Sequence, residues 1–151
     1  MSATGLVAVE IQDASGCEAL PAEESIRTWA RRALGDDARG ELTIRIVSES
    51  ESADLNSRYR HKQGPTNVLA FPGEAPAVAF AGGDLRPLGD LAICAQVVAR
   101  EAEEQRKSLE AHWAHIVIHG VLHLQGYDHE ADPQALVMEA RERDLLAALG
   151  F

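Results

Sequence analysis

The stretch HGVLHLQGYDH, residues 119–129, constrains this chain more than any other. It holds three of the six histidines of a 151-residue protein in an otherwise apolar run. In a helix, positions four apart share a face, so His119 and His123 project side by side. Gly126 suits a left-handed helix-ending position, and the turn Gly126-Tyr127-Asp128 can bring His129 back toward the first two. A lone histidine on an apolar helix is ordinarily a core residue bonded to a carbonyl. Three at this spacing instead form a ligand set for one metal ion. Three imidazoles with one open position are the usual composition of a catalytic zinc site. His112 and His115 continue the stripe on the same face. One of them is available as a fourth ligand or as support for the others. His112 is expected to be exposed, and His115 to be buried beneath the metal.

The spacing is that of the long zincin pattern H-E-x-x-H-x-x-G-x-x-H. In zinc peptidases the glutamate after the first histidine takes the proton from the metal's water. Here that position is Gly120, so peptide hydrolysis by that route should be badly impaired. Phosphodiester chemistry stays open, since a metal can supply the nucleophile and polarise a phosphoryl oxygen. Position 120 is read as lying beside the incoming phosphate. Asp128 is either a turn residue, a group holding a histidine in place, or a base.

The remaining chain reads as one α+β domain over residues 1–151, with about four strands in a mixed sheet and about five helices. The metal site sits on a helix of the C-terminal half and the turn after it. Strands are expected at 5–12, 41–47, 66–71 and 88–95. In 41–47, Leu42, Ile44 and Ile46 alternate with Thr43 and Arg45. Helices are expected over 22–34, around 53–59 (closed by Gly64-Pro65), after strand four to about Lys107, from a Ser108 cap to about Gln125, and from an Asp132 cap with Pro133 at the first position. The glycine- and proline-punctuated stretch 73–88 is expected to be a mobile excursion. A hydrophobic fraction of 46% supports a packed core. No apolar run approaches the ~20 residues of a membrane span, and the N-terminus lacks the features of a signal peptide. Cys17 and Cys94 match no metal spacing. They read as free thiols in a reducing cytoplasm, with a single disulfide as the other option.

The net charge of −10 opposes broad binding to nucleic acid, so RNA contact needs a local basic site. LNSRYRHKQGPTNVLAFP, residues 55–72, supplies the densest positive cluster, with Arg58, Arg60, His61 and Lys62. Arg60 can bind a phosphate through its planar fork. The cluster can equally be a solvated helix end, where cations are favoured.

Together with GDLAICAQVVAREAEEQ and MEARERDLLAALG, these blocks closely resemble the bacterial YbeY family of endoribonucleases, from about residue 40 to the end. Asn67 and Ala70 stand where the family often has aspartate and serine, and neither is an expected ligand. The resemblance implies a single-strand-specific, metal-dependent RNase with one Zn²⁺ per chain on His119, His123 and His129. It implies catalytic roles for Arg60 and His119, with Arg58, Arg60 and Lys62 on the RNA phosphates. It also implies cytoplasmic work on ribosomal RNA precursors, notably the 16S 3′ end, and on ribosome quality control. The implied partners are the small subunit and its assembly factors, with neither membrane nor DNA. Two other classes stay open: a metallopeptidase-like hydrolase, and a non-catalytic ribosome-assembly factor with a structural metal.

Overall fold

The computed structural model describes residues 7–35, 38–73, 87–126 and 132–151. Four strands, β1 (Val7–Asp13), β2 (Gly40–Val47), β3 (Val68–Pro72) and β4 (Pro87–Cys94), form one sheet in the order β1-β2-β4-β3. β1, β2 and β4 run parallel, and β3 pairs antiparallel with β4 at the edge. Five helices accompany them among the described residues: α1 (Glu23–Leu34), α2 (Glu49–Arg60), α3 (Ala95–Glu104), α4 (Leu109–Leu124) and α5 (Asp132–Ala148). None is long and apolar enough to cross a membrane. The expected α+β class, with a mixed four-stranded sheet and five helices, is the observed one.

The alternation of β2 is realised in burial. Leu42, Ile44 and Ile46 are at most 2% exposed and meet α1, α4 and α5 in the larger core. Val47, Leu69, Ala92, Cys94 and Val97 form a second, smaller core, with Leu55 of α2 and Phe71 packed against it. α4 lies in the larger core and is apolar almost all round. It packs against α1, α3, α5 and the β3–β4 edge, as a helix without a polar face must. Ser108 caps it by accepting from the Ala111 N–H at 3.0 Å, and Gly126 turns the chain away at φ 98°.

Helix boundaries differ from expectation in two places. α2 begins four residues earlier than the expected 53, because the Ser48 hydroxyl accepts from the Glu51 N–H and acidic side chains sit in the first turn. It ends at Arg60, within one residue of the expected 59, with His61 left-handed at φ 57°. α3 stops at Glu104, before the expected Lys107. Arg106 reverses at φ 56°, and the Lys107 N–H returns to the Ala102 carbonyl. Of the stretch 73–88, residues 74–86 lie outside the described residues. Cys17 and Cys94 are both free thiols, Cys94 fully buried.

Candidate metal centre and the cleft beside it

His112, His115, His119 and His123 form a stripe along α4, with successive ring centroids 6.0, 6.3 and 4.8 Å apart. His119 and His123 are the closest pair, as one helical turn requires. His129 and Asp128 lie outside the described residues.

The residues packed around the stripe decide how each ring is used. His112 is 2% exposed, which corrects the expectation that it faces solvent. α3 folds back over it, and its Nε2 lies 2.9 Å from the Glu101 carboxylate. Burial lowers the His112 pKa; Glu101 opposes this and Lys107 adds to it, so the neutral ring is favoured. His115 is not fully buried beneath the site, as expected, but about one-third exposed at its side chain. Its Nε2 lies 3.2 Å from Glu142 of α5. The Lys107 ammonium bridges the Nδ1 atoms of His112 and His115 at 3.3 and 3.4 Å.

Tautomers follow from these partners. An ammonium has only protons to give, so Nδ1 of His112 and of His115 accepts, and Nε2 of each donates to a carboxylate. His119 is the other way round. Its Nδ1 lies 2.5 Å from the second oxygen of Glu142. Burial pushes the Glu142 pKa up, but hydrogen bonds from His115 and His119 outweigh it and hold the group at about 2. The ionised carboxylate accepts from both rings. His119 therefore carries its proton on Nδ1 and its lone pair on Nε2, the form in which an imidazole binds a metal.

Hydrogen bonds extend the arrangement back to β3. Asn67 donates to both oxygens of Glu101 at 3.1 and 3.3 Å, and its carbonyl accepts from the Cys94 N–H. A continuous path thus runs from Asn67 through Glu101, His112, Lys107, His115 and Glu142 to His119. Most of these groups line an open cleft of about 330 Å³. One potential ligand set, His115, His119 and Glu142, has its ligand atoms within 4.8 Å of one another. It competes with the expected set of His119, His123 and His129. Two ligands of one tetrahedral zinc at ordinary bond lengths sit about 3.3 Å apart. The 2.5 Å contact between His119 and Glu142 is instead a hydrogen-bond distance. In this arrangement Glu142 is a hydrogen-bond partner of His119 Nδ1, and the set His115, His119 and Glu142 also stays able to hold an ion.

Gly120 requires a correction. It does not lie beside the cleft but against the sheet. A Cβ there would meet the Leu91 methyls at 2.9 and 3.1 Å and Val68 Cγ2 at 3.2 Å. The glycine lets α4 approach β3 and β4. Arg58, Arg60 and Lys62 are exposed at the end of α2 and in the loop beyond it. Arg58 pairs with Asp54 at 3.3 Å. Among the described residues none of the three lines the cleft; the part of that segment that reaches it is Asn67. The sequence reading misses Glu101 and Glu142, because a glutamate on a helix looks like any solvated one until its partner helix is known. The available signal is a partial one: Glu142 lies within MEARERDLLAALG, the last of the resembling blocks.

Fold and site together define an α+β protein with a histidine-lined cleft that carries metal-competent groups. The model of the endoribonuclease YbeY family matches residues 11–150, and the chain belongs to that family. The match begins well before residue 40, where the sequence resemblance starts. The solution structure of TM1509 from Thermotoga maritima is similar in fold. It has a TM-score of 0.59 at 24% identity, covering 93% of this chain and 86% of that one.

Proposed function

We propose that this chain is a zinc-dependent, single-strand-specific endoribonuclease of the cytoplasm. It matures ribosomal RNA precursors, notably at the 16S 3′ end, and serves ribosome quality control with the small subunit and its assembly factors. One zinc ion is held by His119, His123 and His129. The observation that carries the metal assignment is the Glu142 carboxylate 2.5 Å from His119 Nδ1, which favours the tautomer with its lone pair on Nε2, while His123 stands one turn along with ring centroids 4.8 Å apart. The donor set of neutral imidazoles suits zinc.

A zinc ion bound there supplies Lewis acidity, polarising a phosphoryl oxygen and acidifying a water near neutral pH. The chain's own residues do the rest. His119 and His123 present nitrogen lone pairs from a rigid, buried helix. Arg60 offers a planar guanidinium to the phosphate and to the charge that gathers on it during cleavage. Arg58 and Lys62 add local positive charge to an acidic chain.

The test is metal content together with RNA cleavage. His123→Ala should lose most of the zinc by elemental analysis and, with it, cleavage of single-stranded RNA, because two remaining imidazoles bind poorly. Full occupancy in that variant would overturn the ligand assignment. Unaltered 16S 3′ ends in cells lacking the protein would overturn the ribosomal role.

A further inference from the structure

The hydrogen-bond path reaches His119 through a group to which the reaction assigns no task. Glu142 is 7% exposed, lies on α5, and touches two rings of α4 with its two oxygens: His115 Nε2 at 3.2 Å and His119 Nδ1 at 2.5 Å. We propose that Glu142 is a positioning residue for the metal centre: it fixes His119 in the Nδ1–H tautomer and holds its Nε2 toward the ion, while its other oxygen is held by His115, whose Nδ1 contacts Lys107. The proposal rests on the reading that His119 is a metal ligand.

The geometry favours this over a purely structural helix–helix contact for two reasons. First, both carboxylate oxygens are used on imidazoles of the same stripe, one of them the ring read as a metal ligand. Second, the tautomer changes along the stripe. Lys107 forces its proton-accepting contact on Nδ1 of His112 and His115, so those two rings point their N–H groups at carboxylates through Nε2. His119 is inverted, and it is inverted by Glu142. A carboxylate behind a ligating histidine also makes the imidazole a stronger donor, and removing such a partner typically weakens metal binding about 10- to 100-fold.

Glu142→Gln provides a near-isosteric test. An amide has one acceptor oxygen and one NH₂ group, so it cannot accept from both His115 and His119. One ring must invert its tautomer or lose its bond. Glu142→Ala removes both contacts. Zinc dissociation constants should be measured by chelator competition for the wild type, Glu142→Gln, Glu142→Ala and His115→Ala. Affinity should fall in graded steps, with Glu142→Ala about 10- to 100-fold weaker than wild type and Glu142→Gln between the two. His115→Ala should have a smaller effect. The visible absorption of the Co²⁺-substituted proteins should shift in the Glu142 variants. Nitrogen chemical shifts of metal-free protein should show His119 as Nδ1–H in the wild type and redistributed toward Nε2–H in Glu142→Ala. If the alanine variant does not fold, Glu142→Gln, checked by thermal unfolding, carries the comparison. Unchanged affinity and an unchanged Co²⁺ spectrum in folded Glu142 variants overturn the positioning role while leaving the metal assignment intact. A wild-type protein that takes up neither Zn²⁺ nor Co²⁺ overturns the metal assignment and the positioning role with it.

Discussion

At position 120 a single hydrogen atom decides how close α4 comes to the sheet. A Cβ would fall 2.9 Å from Leu91 and 3.2 Å from Val68, and overpacking of this size typically costs about 1–3 kcal/mol. Alanine's helix propensity returns up to about 1 kcal/mol. Gly120→Ala should therefore lower stability in chemical denaturation, and Gly120→Glu, which also buries a charge, should do so severely. An alanine variant as stable as wild type would show that Leu91 gives way freely. From the sequence the same glycine reads as a missing catalytic base, because the motif shows what stands next to His119 but not which sheet faces it. Arg60 presents the opposite case. It is exposed at the end of α2. Arg60→Glu should cut cleavage of single-stranded RNA by at least ~10²–10³, with metal content and thermal unfolding near wild type. Arg60→Lys should rescue only partly, lacking the fork. Normal cleavage by Arg60→Glu would place the phosphate elsewhere.

At the scale of elements, local signals carried far. The alternation in β2 and the Ser108 cap of α4 place both elements within a residue or so. α2 was legible only in its second half, because a capping serine followed by charged residues has no apolar period. Its helical face is weak: only Ser52 and Asn56 are buried, and both hold the following loop, Ser52 through Thr66 and Asn56 through Gly64. The burial of His112 was not legible, since it depends on α3 turning sharply at Arg106 and lying over α4. That burial has a pH signature. His112 is held neutral in the folded protein, below its ordinary pKa of 6.5. The unfolded chain therefore binds the proton first as pH falls. The stability this histidine contributes is complete above about 6.5 and is lost as pH drops toward the lowered folded value. Denaturation midpoints between pH 7.5 and 5 should fall less steeply for His112→Gln than for wild type. Equal slopes would assign the acid sensitivity to other groups.

On the scale of the whole molecule, a net charge of −10 must coexist with an anionic substrate. The cations available at the end of α2 are few, and Arg58 is already shared with Asp54. Salt dependence should accordingly be shallow. Each neutralised phosphate of a single strand contributes about −0.7 to the slope of log affinity against log salt, so three contacts give about −2. Arg58→Ala should change the slope less than Arg60→Ala does. A wild-type slope far steeper than this would reveal a basic surface beyond Arg58–Lys62. The cleft itself is assembled from distant parts of the chain: Asn67 meets Glu101 across 34 positions, His115 meets Glu142 across 27, and His119 meets Glu142 across 23. Contacts of such separation form late, after loop-closure entropy has been overcome. Glu142 is also borne by α5, which follows α4 in the chain. A nascent chain whose histidines have emerged but whose α5 has not thus lacks the carboxylate behind His119. On the proposed metal reading, full competence to hold an ion waits until α5 has docked on α4.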